Sequence, residues 1–225
     1  MTVIWGLDLK EMKWGKFKGS YMFNRAYYLR RTKMIVYQAA MIFCVVSESV
    51  GTVMLSDYID QQDGISTRTQ GQAQVQNNDI IGVASFNVFV GIAVATIFGG
   101  AFFFDLFWPE RIETKAVRLW WKICAVTISI FTLAAALALT IIVATHRAYI
   151  KGVPPEYARI LFEENGPPSP IYRKNALSIA SSVLLWLGVV STFSSTYIMW
   201  RSHQHDDQFG PWSEGYKDEE TAANI

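Results

Sequence analysis

Glu48 is the one carboxyl set deep inside a long apolar stretch of this chain, with Ser47 and Ser49 on either side. Asn87 is the matching polar residue of a second apolar stretch. Carrying an acid into hydrocarbon costs about 2.5–3.5 kcal/mol on an insertion scale, so such a group turns to the protein interior or to a pathway. Three uses fit. Glu48 can be a hydrogen-bonding strut to Asn87, Ser85 or a serine of the fourth stretch. It can line an ion or proton path. It can also pair with a base of a partner protein. His203, His205, Asp206 and Asp207 are metal-ligand types at close spacing. No further histidine nearby completes a shell, so no metal is expected. There is no phosphate-cradling glycine loop, dinucleotide fingerprint or nucleophile elbow. The chain is therefore expected to be non-enzymatic and to use no cofactor.

What must position these residues is a set of four apolar stretches: Met34–Leu55, Ile80–Phe104, Leu119–Thr145 and Ala176–Trp200. Each exceeds the ~20 helical residues needed to cross about 30 Å of hydrocarbon. Charged residues make up 17% of the 225, below the ~25% of soluble domains, which agrees with lipid as the main solvent. The expected fold class is all-α, a four-span transmembrane helix bundle (34–200) between a basic leader (1–33) and an acidic tail (201–225). The first span is expected to act as an uncleaved signal-anchor, because the first apolar run begins only at Met34. Cys44 and Cys124 both fall inside spans, which excludes a disulfide-stabilised outer domain.

Charge sets the orientation. The leader carries Lys10, Lys13, Lys16, Lys18, Arg25, Arg30, Arg31 and Lys33 against Asp8 and Glu11, and the 105–118 connection adds Arg111, Lys115 and Arg118. Bases stay on the cytoplasmic side, so both termini are expected there, with loops 56–79 and 146–175 outside. The bases of the outer 146–175 loop pull the other way and are outweighed by the leader. Trp108, Trp120, Trp121 and Trp200 fall at the same inner interface, where an indole keeps its ring in lipid and its N–H wet. Each leader base near an anionic leaflet contributes ~1 kcal/mol, which makes membrane lipid the expected partner. A net charge of +1 gives no reason to expect nucleic acid.

The connecting segments read unevenly. The leader mixes aromatics with Gly6, Gly15 and Gly19 and shows no helical periodicity, so a loose, membrane-hugging segment is expected. Loop 56–79 is rich in Gln and Asn, and is expected to be mobile and without a core. Pro154-Pro155 and Gly166 bracket a short interfacial helix over 156–165. Pro109 forces a tight return after the second span. The tail, ending in Asp218, Glu219 and Glu220, is expected to be disordered.

Spans attract one another through close backbone approach, which small residues allow. Gly91, Ala95 and Gly99 recur at intervals of four in the second span, as do Thr132, Ala136 and Thr140 in the third, while Gly188 lies in the fourth. These stripes suit packing within one bundle or against another subunit. Four spans, a basic leader, an acidic tail and no outer cysteine pair resemble, in topology, MARVEL-type proteins and fungal cortical tetraspans. That resemblance implies a plasma-membrane scaffold, organiser or accessory subunit, present as a homo-oligomer or in a larger membrane-protein complex. The alternative is a small ion or proton channel subunit using Glu48 and Asn87.

Overall fold

The computed structural model describes residues 3–4 and 7–213. In chain order the elements are β1 (Val3–Ile4), β2 (Leu7–Asp8), α1 (Gly19–Met22), α2 (Arg30–Arg68), β3 (Gln74–Gln76), α3 (Asn78–Phe107), α4 (Lys115–Thr145), β4 (Tyr149–Lys151), α5 (Pro155–Asn165) and α6 (Ala176–Phe209). The fold is all-α. Four helices, α2, α3, α4 and α6, are long and apolar enough to cross a membrane. The strands form two short antiparallel pairs, β1 with β2 and β3 with β4.

The helix ends follow from local chemistry. Thr114 Oγ1 accepts from Val117 N at the start of α4, and Asn175 Oδ1 accepts from Leu177 N at the start of α6. Both satisfy first-turn N–H groups that have no partner within the helix. Gly166 stops α5 at φ +75, a conformation that costs glycine little. Gly152 (φ +93) is required twice over, since a Cβ there would overlap the Gln72 carbonyl just ahead of β3.

The chain divides into two compact units. The first takes the described parts of Met1–Ile42, Val94–Ser129 and Val190–Ile225. Its core holds Met34, Tyr37, Phe98, Leu106 and Met199, with Tyr37 stacked on Phe98. The second takes Phe43–Ala93 and Ile130–Val189. There Cys44, Met54, Val90, Leu139 and Leu185 are buried. Cys44 packs directly on the backbone of Gly188, where an added Cβ would sit 2.6 Å from Sγ.

Three expectations need correction. Segment 56–68 is not loose: α2 continues through it to Arg68. Tyr58, Gln61 and Ile65 are buried while Asp60, Asp63 and Thr67 face out. That spacing is helical, and the density of polar residues hides it. Ala73 and Val75 are buried as well, so the loop does have a core. The leader also has definite structure over its described residues, with tight turns at Leu9–Glu11 and Trp14–Phe17 ahead of α1. The tail begins as helix, since α6 runs to Phe209 and buries Ser202, His203 and His205. Asp218, Glu219 and Glu220 lie outside the described residues. The expected helix over 156–165 is present as α5, with Ala158 and Leu161 buried.

The Cys44–Gly188 contact yields a test. Gly188→Ala is expected to destabilise the protein by about 1–3 kcal/mol through overpacking, read as a lower thermal midpoint in detergent. Removing the opposing sulfur with Cys44→Ala should recover part of that loss. Strict additivity of the two changes in a double-mutant cycle would contradict this packing.

Candidate functional site

Three polar clusters and one charged surface are candidates for function. The first cluster belongs to the second unit and is uncharged. Ser47 Oγ donates to Ser181 O (2.9 Å), and Ser181 Oγ donates back to Ser47 O (3.0 Å). Asn87 Nδ2 lies 3.3 Å from Ser47 O, Ser47 Oγ and Ser181 Oγ. Gly51 makes room for it, because a Cβ there would come within 3.0 Å of that nitrogen. In hydrocarbon such bonds replace the water that is absent. Asn87 Oδ1 has no protein partner.

Glu48 is not part of this cluster. Its side chain lies over Gly91, and it bonds neither to Asn87 nor to Ser85, whose hydroxyl turns back to Ile81 O. Ser49 likewise donates to its own helix, at Val45 O (2.8 Å). The other small residues are engaged inside their units. Gly91 faces Glu48, Gly99 faces Met41, and Gly188 faces Cys44. Thr132 and Ala136 are fully buried, and Thr140 Oγ1 accepts from Trp186 Nε1 (2.9 Å). Ala95 is half-buried.

The same unit holds a second polar set, around Tyr58, which includes one acid, Asp79. Tyr58 OH donates to Ser169 O and packs edge-on to the Tyr172 ring, while Asn77 Nδ2 donates to Tyr58 O. Tyr172 OH donates to Asp79 Oδ1 (2.7 Å), and the other oxygen of Asp79 meets His146 Nδ1 (2.7 Å). Burial, together with the bond to Asp79, raises the Tyr172 phenol above the usual tyrosine range. Asp79 also lies in the first turn of α3, where the helix dipole favours a negative charge.

The charged cluster belongs to the first unit and centres on Asp105. Lys33 Nζ (3.1 Å) and Arg111 NH1 (2.8 Å) bind its two oxygens, and Arg111 Nε also holds Glu113 (2.6 Å). Burial opposes the Arg111 charge, but Asp105 and Glu113 outweigh it and hold the guanidinium above its ordinary pKa. Arg30, only 2% exposed, donates to Asp105 O (2.9 Å) and stacks over the rings of Tyr21 and Tyr27. Tyr27 OH donates to Glu110 (2.7 Å), and burial and that acid push its phenol up. Residues 211–213 close the cluster. Tyr28 N donates to Pro211 O, Ser213 N donates to Ala26 O, and Trp212 stacks on Tyr27. A cavity of about 130 Å³ remains, bordered by Arg30, Lys33, Asp105, Ser202 and His203. Arg30 Nε, Ser202 Oγ and His203 Nδ1 lack protein partners, so the space suits ordered water.

Sequence reasoning misses this network, although one sign of it is legible. Asp105 stands in the last turn of α3, where the helix dipole disfavours an acid. An acid in that position needs bases supplied from elsewhere in the chain.

The charged surface is the leader. Its bases divide into two kinds. Lys16 is committed to Phe107 O (2.6 Å) and Glu11, and Arg30 and Lys33 to the Asp105 cluster. Lys10, Lys13, Lys18, Arg25 and Arg31 are exposed and make no ion pair among the described residues. They accompany Trp14 (88% exposed) and Met12 (54%). The segment is pinned by Trp108 Nε1, which donates to Asp8 O (2.9 Å), and by Phe17, edge-on to Phe103 and Phe107.

Asp105→Asn leaves the largely buried Lys33 without its counter-ion and Arg111 with Glu113 alone, and is expected to cost about 3–5 kcal/mol, seen as a large fall in thermal midpoint. Glu163→Gln removes the exposed partner of Arg159 and should cost no more than about 0.5 kcal/mol. Equal effects would refute the difference in burial. Comparisons with family models, with curated proteins and with solved structures found no match.

Proposed function

We propose that this chain is a non-enzymatic tetraspan of the plasma membrane, acting as a scaffold, organiser or accessory subunit of a membrane complex. Both termini face the cytoplasm, and the leader rests on the anionic inner leaflet. The observation that carries this reading is the leader's dual character. One set of its contacts fixes it to the end of α3, and Lys10, Lys13, Lys18, Trp14 and Met12 remain outside those contacts. Exposed aromatics beside unpaired bases are what an anionic headgroup layer attracts. The exposed Tyr157 and Ile160 of α5 suit a membrane interface.

The conducting alternative has less support. Asn87 is enclosed by Ser47, Ser181 and Gly51, and Glu48 stands apart from it, so the two do not make a continuous polar path. The large apolar residues left exposed along the spans, among them Ile92, Ile141 and Val190, leave ample surface for lipid or for neighbouring proteins.

Two measurements test the proposal. Native mass spectrometry of the purified chain should show bound anionic lipid. Lys10→Gln, Lys13→Gln and Lys18→Gln should each weaken that retention by roughly fivefold, the equivalent of ~1 kcal/mol per base. Light scattering after purification in a gentle detergent should give a mass above that of one chain plus its micelle. A lone monomer that holds neutral and anionic lipid equally would end the reading.

A further inference from the structure

Glu48 is the acidic intramembrane group whose carboxyl no other described residue satisfies. Its carboxyl makes no hydrogen bond or ion pair among the described residues. It lies half-buried over Gly91, where a Cβ would come within 2.7 Å of the Glu48 Cβ and 2.8 Å of Oε2. Around it α2 exposes Val45 (36%), Val46 (42%) and Val53 (53%), and Ser49 and Thr52 are exposed too. Val45, Ser49, Thr52 and Ser56 follow one another at intervals of four, three and four, the seam along which two helices pair. Glu48 stands beside that seam, three residues after Val45 and four before Thr52. α2 is also the least covered span. Only 28% of its apolar window is buried, against 39% in each of the other three.

The donors and acceptors on this face point to one kind of occupant. Ser49 Oγ donates to Val45 O (2.8 Å), and Thr52 Oγ1 donates to Glu48 O (3.0 Å). Each hydroxyl keeps lone pairs able to accept. An acid in hydrocarbon is cheapest uncharged, and then has one O–H to give and an oxygen to receive. Lipid tails offer neither. A face with one donor and several acceptors complements its own copy about a two-fold axis. The rest of the face is valine and hydroxyl, small enough for close approach, with no second acid to draw a basic helix.

We propose that the Val45–Val53 face of α2 is where two copies of this chain meet in the membrane, with the Glu48 carboxyl of each hydrogen-bonded to a hydroxyl or carboxyl of the other. The inference rests on the self-associating scaffold reading above, and adds the surface and the bond.

Cysteine cross-linking of the full chain in phosphatidylcholine vesicles tests it. Ser49→Cys and Thr52→Cys, oxidised with copper phenanthroline, should run as dimers on a non-reducing gel. Val183→Cys, exposed on α6, should stay monomeric, and the parent chain with Cys44 and Cys124 sets the baseline. Adding Glu48→Ala should cut the dimer roughly fivefold or more, while Glu48→Gln, which keeps a donor, should retain at least half of it. Equal cross-linking at positions 49 and 183, or a dimer indifferent to Glu48→Ala, overturns the proposal. Circular dichroism and elution volume of each variant separate a lost contact from a lost fold. If no homodimer forms but the chain elutes in a larger assembly, the α2 contact fails and the scaffold reading stands. A lone monomer overturns the α2 contact, and one that also holds neutral and anionic lipid equally ends both.

Discussion

Hydrocarbon gives a polar atom nothing to bond with, and each part of this structure is an answer to that constraint. A buried hydroxyl or amide without a partner costs several kcal/mol in such a medium. The backbone meets the demand by forming helix along the spans. The side chains must meet it case by case, and they do so differently in the two units. The second unit uses mostly neutral groups, serine hydroxyls, the Asn87 amide and the phenols of Tyr58 and Tyr172, with the Asp79 carboxylate accepting from Tyr172. Such groups carry little desolvation cost once paired. The first unit uses charge, with Asp105 placed between Lys33 and Arg111.

Charge is the costlier choice, because desolvating both partners offsets most of their attraction. Its use around Asp105 therefore calls for a reason other than stability. Geometry supplies one. Asp105 sits at the end of α3, Lys33 at the start of α2, and Arg111 and Glu113 in the connection before α4. Arg30 reaches the last carbonyls of α3, and the chain at 211–213 covers Tyr27 and Tyr28. An ion network with few acceptable arrangements fixes the register of these pieces, which a greasy contact would leave free to slide. The leader's surface depends on that. Trp14 and Lys13 can be presented in a set direction only because Lys16, Phe17 and Trp108 hold their neighbours to the end of α3.

Apolar length makes the spans legible in the sequence. Twenty or so apolar residues in a row suit a membrane-crossing helix and little else; Pro109 marks the return after α3, and the Pro154-Pro155 pair and Gly166 mark the ends of α5, by backbone chemistry alone. Legibility ends wherever polar residues are buried. Segment 56–68 reads as solvated, yet Tyr58, Gln61 and Ile65 point inward, because the partners of the two polar ones, Ser169, Pro168 and the Tyr172 ring, come from more than a hundred residues away. His205 likewise reads as tail, until it is found stacked on Tyr28. Composition records how polar a segment is. It does not record whether a distant segment brings a matching donor.

The same accounting separates Asn87 from Glu48, two residues that look alike as lone polar groups in apolar runs. The amide nitrogen of Asn87 is met from α2 and α6, and Gly51 is small so that it can be. Gly91 is small in the same way beneath Glu48, yet no donor or acceptor accompanies it. Gly91 leaves room for the whole Glu48 side chain, stem and carboxyl oxygen alike, without offering it a hydrogen bond. If Glu48 were needed only to fill space against Gly91, a leucine or glutamine stem would serve at lower cost in lipid. The dimer proposed above would supply the carboxyl with the bond that the described residues of its own chain do not. The exposed valines and hydroxyls beside it form the face of α2 to which that proposal assigns the contact.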